Sequence, residues 1–402
     1  MGLLAVLFTA ALAAAPAPLP TPAPSGPAGA ATSAPAPAAP IHDDGTLRLE
    51  GATLADAAPF RALVEPYLQV RSATVTSLSD DGRTMLVSTR FGDTSQVHRV
   101  DMPGGARTQL TFSREPTRGS FVPGSRDVVV SRDLGGDENY QLYRIPEAGG
   151  APVRITDGKG RVDGSSFSRD GGRLVYASTA RNGRDLDLWI ADGRDPSTAR
   201  LLRELSGDWS PGEWSRDGTR LLVQSFVSVT DTEWWVLGVD DGAFRRLGAE
   251  GPATFEGAAL FDAKGERVFV VSDRGGEHHA LWEVDVATGA WTLRFGRDDG
   301  EVENIALSPD GRTLAVTSNE RGWSALRLLD TRTWKARDVA LPHPAVVSGL
   351  LWPDRSEVLA VTLSGPTIPG DAWTLEPRRG PWTRWTHSTN GGIDERKYTY
   401  DK

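Results

Sequence analysis

The sequence predicts an all-β chain folded as a seven-bladed β-propeller of four-stranded antiparallel blades, with a disordered N-terminal leader and one short helix. Three observations carry this reading. First, a hairpin unit seen most fully in Ser166-Phe-Ser-Arg-Asp-Gly-Gly-Arg-Leu-Val-Tyr-Ala-Ser178 recurs along the chain. In it the Asp-Gly pair supplies the positive φ of a tight turn and the flanking apolar runs suit strands. Second, the turn glycines Gly82, Gly124, Gly171, Gly218, Gly265 and Gly311 are spaced by 42, 47, 47, 47 and 46 residues, and a period of this length with four strands per copy marks a propeller blade. Third, the run after each turn is apolar without alternation, as in Val128-Val-Val130, Leu174-Val-Tyr-Ala177, Leu221-Leu-Val223, Val268-Phe-Val-Val271 and Leu314-Ala-Val316. A strand with that pattern is covered on both faces, as it is when its blade lies between two others.

A seventh copy, Trp352-Pro-Asp-Arg-Ser-Glu-Val-Leu-Ala-Val-Thr362, places Arg355 where the glycine would stand, 44 residues after Gly311. Seven copies of one unit make 402 residues a single propeller rather than two or three domains. The first blade is expected as Ala73 to Leu78, Thr84 to Thr89, Ser95 to Val100 and Arg107 to Thr111.

The two ends are different material. Residues 1–40 carry no charged side chain. Leu3 to Ala14 is an apolar run of signal-peptide length followed by a small-residue cleavage site at Ala13-Ala14-Ala15, although no Lys or Arg precedes Leu3. The expected organisation is a signal peptide over 1–15, a Pro/Ala-rich disordered tether over 16–44, a short helical lead-in over 45–71, the propeller over 72–390 and a tail over 391–402. The leader makes the protein periplasmic or secreted, with no membrane span because its apolar run is too short. The helix is expected between Asp56 and Val70, with Asp56 as N-cap, Phe60, Leu63 and Val64 on one face and Pro66 as its end.

Composition excludes several functions. The chain has no cysteine, so it holds no disulfide and no thiolate metal site. A net charge of −9 without a basic stripe argues against nucleic acid. No G-x-S-x-G elbow, P-loop or dinucleotide fingerprint occurs, and neither a cofactor, a metal nor a catalytic residue is expected. His278-His279 is read as structural, since adjacent side chains of an extended segment point to opposite faces.

In an up-and-down blade the first and third turns lie on one face of the disc; the second loop and the connection to the next blade lie on the other. The long-loop face therefore collects Arg90-Phe-Gly92, Arg132-Asp-Leu-Gly135, Arg181-Asn-Gly183, Arg274-Gly275 and Arg321-Gly322, together with the connectors Ser113 to Gly119 and Leu205 to Gly212. Function on a propeller concentrates in such loops. Arg90, Arg132, Glu138, Tyr140 and Arg181 are the substrate-facing candidates, an acidic residue beside a tyrosine in Asp137-Glu-Asn-Tyr140 being suited to a peptide amino terminus. Ordinary turn shaping and solvation is the alternative for each.

Tyr67-Leu-Gln-Val-Arg71, Ser88-Thr-Arg-Phe-Gly92, Gly104-Gly-Ala-Arg-Thr-Gln-Leu-Thr-Phe112, Ser131-Arg-Asp-Leu-Gly-Gly-Asp-Glu-Asn-Tyr-Gln-Leu-Tyr143 and Trp382-Thr-Arg-Trp-Thr386 resemble the N-terminal propeller of prolyl oligopeptidase family serine peptidases, most closely the dipeptidyl-peptidase and acylaminoacyl-peptidase-like branch. The resemblance covers about Pro59 to Asp394. It implies a propeller that caps an α/β-hydrolase domain and filters peptide substrates by size, with the Ser-Asp-His chemistry in that other domain. Only 22 residues follow Gly380, whereas such a domain takes on the order of 200. The triad is thus expected to be absent and the chain inactive alone, as a truncated or frameshifted reading would be. The implied partners are a peptide substrate, a hydrolase domain, or both. The Ser-x-Asp-Gly repeats are shared with TolB-like propellers, which makes a free-standing periplasmic module binding a protein or peptide the alternative.

Overall fold

The computed structural model describes residues 41–43, 48–50, 54–248, 251–378 and 380–394. The expected signal peptide, most of the tether and the end of the tail lie outside the described residues. Two units are present, one over 5–69 and the other containing 70–402.

In the smaller unit, Ile41–Asp43 pairs antiparallel with Arg48–Glu50, so a hairpin occupies the junction where tether and helical lead-in were expected. The helix is Leu54–Leu68; it starts two residues before Asp56 and runs through Pro66. Pro66 removes one N–H from the ladder, but so near the end that Gln69 still donates to the carbonyl of Glu65 at 3.1 Å.

The larger unit is the propeller. Seven four-stranded antiparallel sheets follow one another, blade 1 over 73–109, blade 2 over 118–154, blade 3 over 162–203, blade 4 over 208–246, blade 5 over 256–295, blade 6 over 301–339 and blade 7 over 346–384. Each sheet takes its four strands from consecutive sequence, the first innermost. The expected first blade matches its strands Ala73–Leu78, Met85–Thr89, Gln96–Val100 and Arg107–Gln109 to within two residues at each end. One expected connector is shorter, because Asp208–Trp214 is the innermost strand of blade 4.

The recurring turn forms as its residues dictate. In blade 3 the Ser168 hydroxyl donates to Asp170 at 2.6 Å, the Gly171 N–H donates to the Ser168 carbonyl at 2.8 Å, and Gly171 adopts φ +70°. The same serine-to-aspartate bond recurs from Ser79 to Asp81, Ser215 to Asp217 and Ser308 to Asp310. Second strands are buried on both faces, as the unbroken apolar runs require: Leu174, Val175, Val268, Phe269 and Val270 have no exposed surface. The core is accordingly a series of clusters between blades. Burying each such side chain contributes about 1.5–3 kcal/mol, which a lone blade would forgo.

Blade 7 meets blade 1 through Ala360, Ala372 and Trp385 against Ala73, Val75, Met85, Val87 and Val100. The Thr362 hydroxyl accepts the Val75 N–H across this seam at 2.8 Å. The ring is closed by packed faces, not by a strand exchanged between the two ends.

Candidate functional site

Both ends of the ring emerge on the long-loop face, because the first strand of a blade begins there and the fourth ends there. That face is a fixed surface. Near the start of the third strand of blades 1, 2, 3 and 7 stands a polar side chain that holds the segment following that blade. Gln96 donates to the carbonyls of Ser113 and Glu115 at 3.0 Å each; Gln141 donates to the Gly160 carbonyl at 2.7 Å. Asp187 accepts the Leu205 N–H at 2.8 Å and Asp371 the Ser388 N–H at 3.0 Å. Several large apolar side chains stand exposed here: Phe91 and Leu134 on second loops, Phe112 on a connector, and Val227 and Val229 at the blade 4 hairpin tip.

The five candidate residues fall into three situations. Arg181 is clamped by its own blade: its Nε and Nη2 meet the two oxygens of Asp187 at 2.6 and 3.1 Å, Nη2 also donates to the Leu205 carbonyl at 3.0 Å, and Nη1 reaches Glu204 at 3.1 Å. It holds the loop to the connector. Arg132 lies over the Tyr143 ring at 4.5 Å with its Nε buried and without a hydrogen-bond partner, and Arg90 is half-buried at the head of the blade 1 loop. Glu138 and Tyr140 sit in one loop whose shape is set locally, with Glu138 at φ +58° and its N–H donated to Asp133 at 3.2 Å. Burial raises the Tyr140 hydroxyl pKa, and Asp133, Glu138 and Asp163 raise it further against Arg118. Arg118 and Asp163 belong to the innermost strands of blades 2 and 3. Tyr140 thus lies within electrostatic reach of Asp163, a carboxyl that burial holds above its ordinary range.

His278 and His279 depart from the expected geometry, in which they point to opposite faces. Their segment is a loop rather than a strand, and both Nδ1 atoms turn to Glu301, at 3.6 and 3.8 Å. Among the described residues no group of three or more His, Cys, Asp or Glu side chains is arranged to hold a metal ion.

The short-turn face carries an arrangement that motif reading missed. Arg169 in the first turn of blade 3 reaches Asp354 in the first turn of blade 7 at 2.5 Å and Glu213 of blade 4 at 3.3 Å. Glu213 also accepts the Phe261 N–H of blade 5 at 2.8 Å. Arg216 in the blade 4 turn donates to the Ser308 carbonyl of blade 6 at 3.2 Å. Blades 3 and 7, and 4 and 6, are not neighbours, so these arginines tie the ring across its axis. Burial raises the Glu213 pKa against the opposing pull of Arg169; burial, and then Arg169, lower that of Arg216. A signal was present: both arginines occupy the variable position of Ser-x-Asp-Gly. In blade 7 Trp352 stands where blades 1, 3, 4 and 6 carry the serine that binds the turn aspartate, and Asp354 meets Arg169 instead.

No family model matches the sequence. The uncharacterized protein Atu1656 of Agrobacterium fabrum is 32% identical over 151 residues, which cover 37% of this chain and 50% of that protein. Among solved structures, one from a study of two prolyl endopeptidases superposes with TM-score 0.67 at 16% identity over 91% of this chain and 61% of its own. The chain has the fold of a prolyl oligopeptidase propeller domain. Prolyl oligopeptidase B of Galerina marginata gives TM-score 0.69 at 12% identity over 85% of this chain and 54% of its own. A puromycin-hydrolysing peptidase of Mycobacterium tuberculosis gives 0.64 at 19% identity over 81% and 54%. The chain spans about half the length of the curated relative it matches and 54–61% of these peptidases. Among the described residues no helix is long and apolar enough to cross a membrane.

Proposed function

We propose that this propeller caps an α/β-hydrolase-type serine peptidase domain and admits peptides to it, the hydrolase domain docking on the long-loop face. The observation that carries this is the coincidence of both ends of the ring with the exposed apolar side chains Phe91, Phe112 and Leu134 on that one face. The likeness to peptidase chains that extend beyond the matched propeller supports it. With Arg169 and Arg216 crossing the axis at the short-turn face, the reading has peptides arriving from the long-loop side. Glu138 and Tyr140, beside Asp133 and Asp163, would there receive a peptide ammonium group. In this reading the leader exports the protein to the periplasm or beyond it.

The test has two parts. The chain alone should show no serine labelled by a fluorophosphonate probe, and the gene beyond codon 402 should encode a G-x-S-x-G elbow followed by Asp and His. Fusing or supplying that domain should yield peptidase activity, and Glu138→Gln should weaken cleavage of peptides with a free amino terminus more than of blocked ones. Stoichiometric labelling of the chain alone would end the non-catalytic reading. An unrelated downstream sequence would favour a free-standing, TolB-like peptide-binding propeller.

A further inference from the structure

At the seam between blades 7 and 1 lies an open cavity of about 270 Å³, lined by Arg71, Phe91, Gly105, Arg107, Trp385 and His387 among others. Arg107 is its distinctive group. The guanidinium runs diagonally over the blade 1 face, with Nη1 3.4 Å from the Thr89 hydroxyl and its carbon 5.7 Å from the Phe91 ring centre. Burial lowers its pKa, and the opposing charge is Asp371 of blade 7. Asp371, however, is already engaged, by Arg384 at 2.5 Å, Thr386 Oγ1 at 2.7 Å and the Ser388 N–H at 3.0 Å. Among the described residues no carboxylate lies within 4.0 Å of Arg107, a trait it shares with the half-buried Arg132, Arg203 and Arg216, whereas Arg144, Arg246, Arg294 and Arg327 each have one; of these four without one, Arg107 lines the cavity.

A partly desolvated cation without a close counter-charge is unfavourable unless something supplies one. Phe91 is exposed, and its inner side meets the fully buried His98 edge-on at 5.1 Å. Burial lowers the His98 pKa and Arg107 lowers it further, so the ring beneath Phe91 is held neutral. The cavity therefore offers a charged fork beside the exposed Phe91 ring and the edge of Trp385, with Thr386, Ser388 and Thr389 on its polar side. Its volume is close to the lower bound of small-molecule sites, about 300 Å³, and the neighbouring Asp371 would repel a dianion.

We propose that this cavity binds a monocarboxylate carried on a small apolar body, with the carboxylate on the Arg107 guanidinium and the apolar part against Phe91 and Trp385. The probe is N-acetyl-L-phenylalanine, with its amide as the uncharged control, titrated calorimetrically and by thermal shift into the full chain at low salt. The acid should bind saturably and the amide should not. Arg107→Gln should weaken the acid by about tenfold or more, the loss expected of a charge-assisted pair. Arg99→Gln, which changes a half-buried guanidinium paired with Asp101 on the opposite face of blade 1, should leave binding unchanged. Phe91→Ala should weaken the acid while keeping its preference over the amide. Equal binding of acid and amide, no saturable binding at millimolar probe, or undiminished binding by Arg107→Gln overturns the proposal. If the glutamine variant fails to fold, Arg107→Lys decides: it keeps the charge and loses the fork, so weaker binding supports the assignment and unchanged binding overturns it.

Discussion

Glu256 opens the innermost strand of blade 5 with its side chain almost wholly buried, 1% exposed. One carboxylate oxygen accepts the Trp234 N–H at 2.9 Å. Burial outweighs that bond and the attraction of Arg246 and Arg274, with Glu233 adding repulsion, so the carboxyl is pushed up from 4.5 to about 7. A folded-state pKa above the unfolded one means that the native state binds more protons between the two values. Stability is then greatest below pH 4.5 and declines as pH rises through 7. A shift of this size corresponds to about 3 kcal/mol by linkage. Glu256→Gln keeps an oxygen for the Trp234 N–H and cannot ionise. Near pH 4 it should match the parent, at pH 5 it should be ahead by about 1 kcal/mol, and at pH 8 by about 3 kcal/mol. For a propeller of this size that is roughly 4–5 °C in Tm. Burial also raises the carboxyls of Asp163, Glu213 and Glu303, so the decisive quantity is the parent-to-variant difference at each pH. A difference that does not change between pH 5 and pH 8, or a variant less stable at pH 8, would refute the reasoning.

Three further outcomes follow from the geometry. Asp354→Asn removes the charge opposite Arg169 in a pair whose side chains are 18% and 23% exposed, and should cost about 1–3 kcal/mol, below the loss for a fully buried pair; salt titration of Tm should show a shallower dependence in the variant. Gly171→Ala should destabilise more than Gly218→Ala: both turns need φ near +70°, but only at Gly171 would a Cβ run into the Pro123 carbonyl of blade 2, while the space at Gly218 is open. Equal loss of Tm in the two would remove the interblade clash from the account. A chain ending at Ala340 bares the clusters that blade 7 shares with blades 6 and 1 and should lose its cooperative melting transition and associate through open strand edges, visible by calorimetry and light scattering; a soluble truncation with the parent's Tm would contradict the seven-blade closure.

What the sequence by itself determined is what depends on local chemistry and on period. The Ser-x-Asp-Gly turns are legible because Gly82, Gly171 and Gly311 need a positive φ that their own four residues impose. The second strands are legible because a run such as Val268 to Val271 has no polar side to turn to water. Repetition then fixes the number of blades, and an up-and-down order fixes which loops share a face. The tertiary structure alone decided where separate copies converge. Arg169 is an ordinary turn residue in its own repeat and becomes an axial tie only because the ring sets blade 7 across from blade 3. Asp354 joins it from the first turn of blade 7, at a distance along the chain that no repeat interval marks as a contact. Arg181, one of five similar loop arginines in sequence, is engaged by Asp187, while Arg107 is left without such a partner at the seam. His278 and His279 reach one carboxylate because their loop is not extended. Charge pairing, burial and cavity lining depend on distances between blades, and no interval along the chain encodes those until the ring has closed.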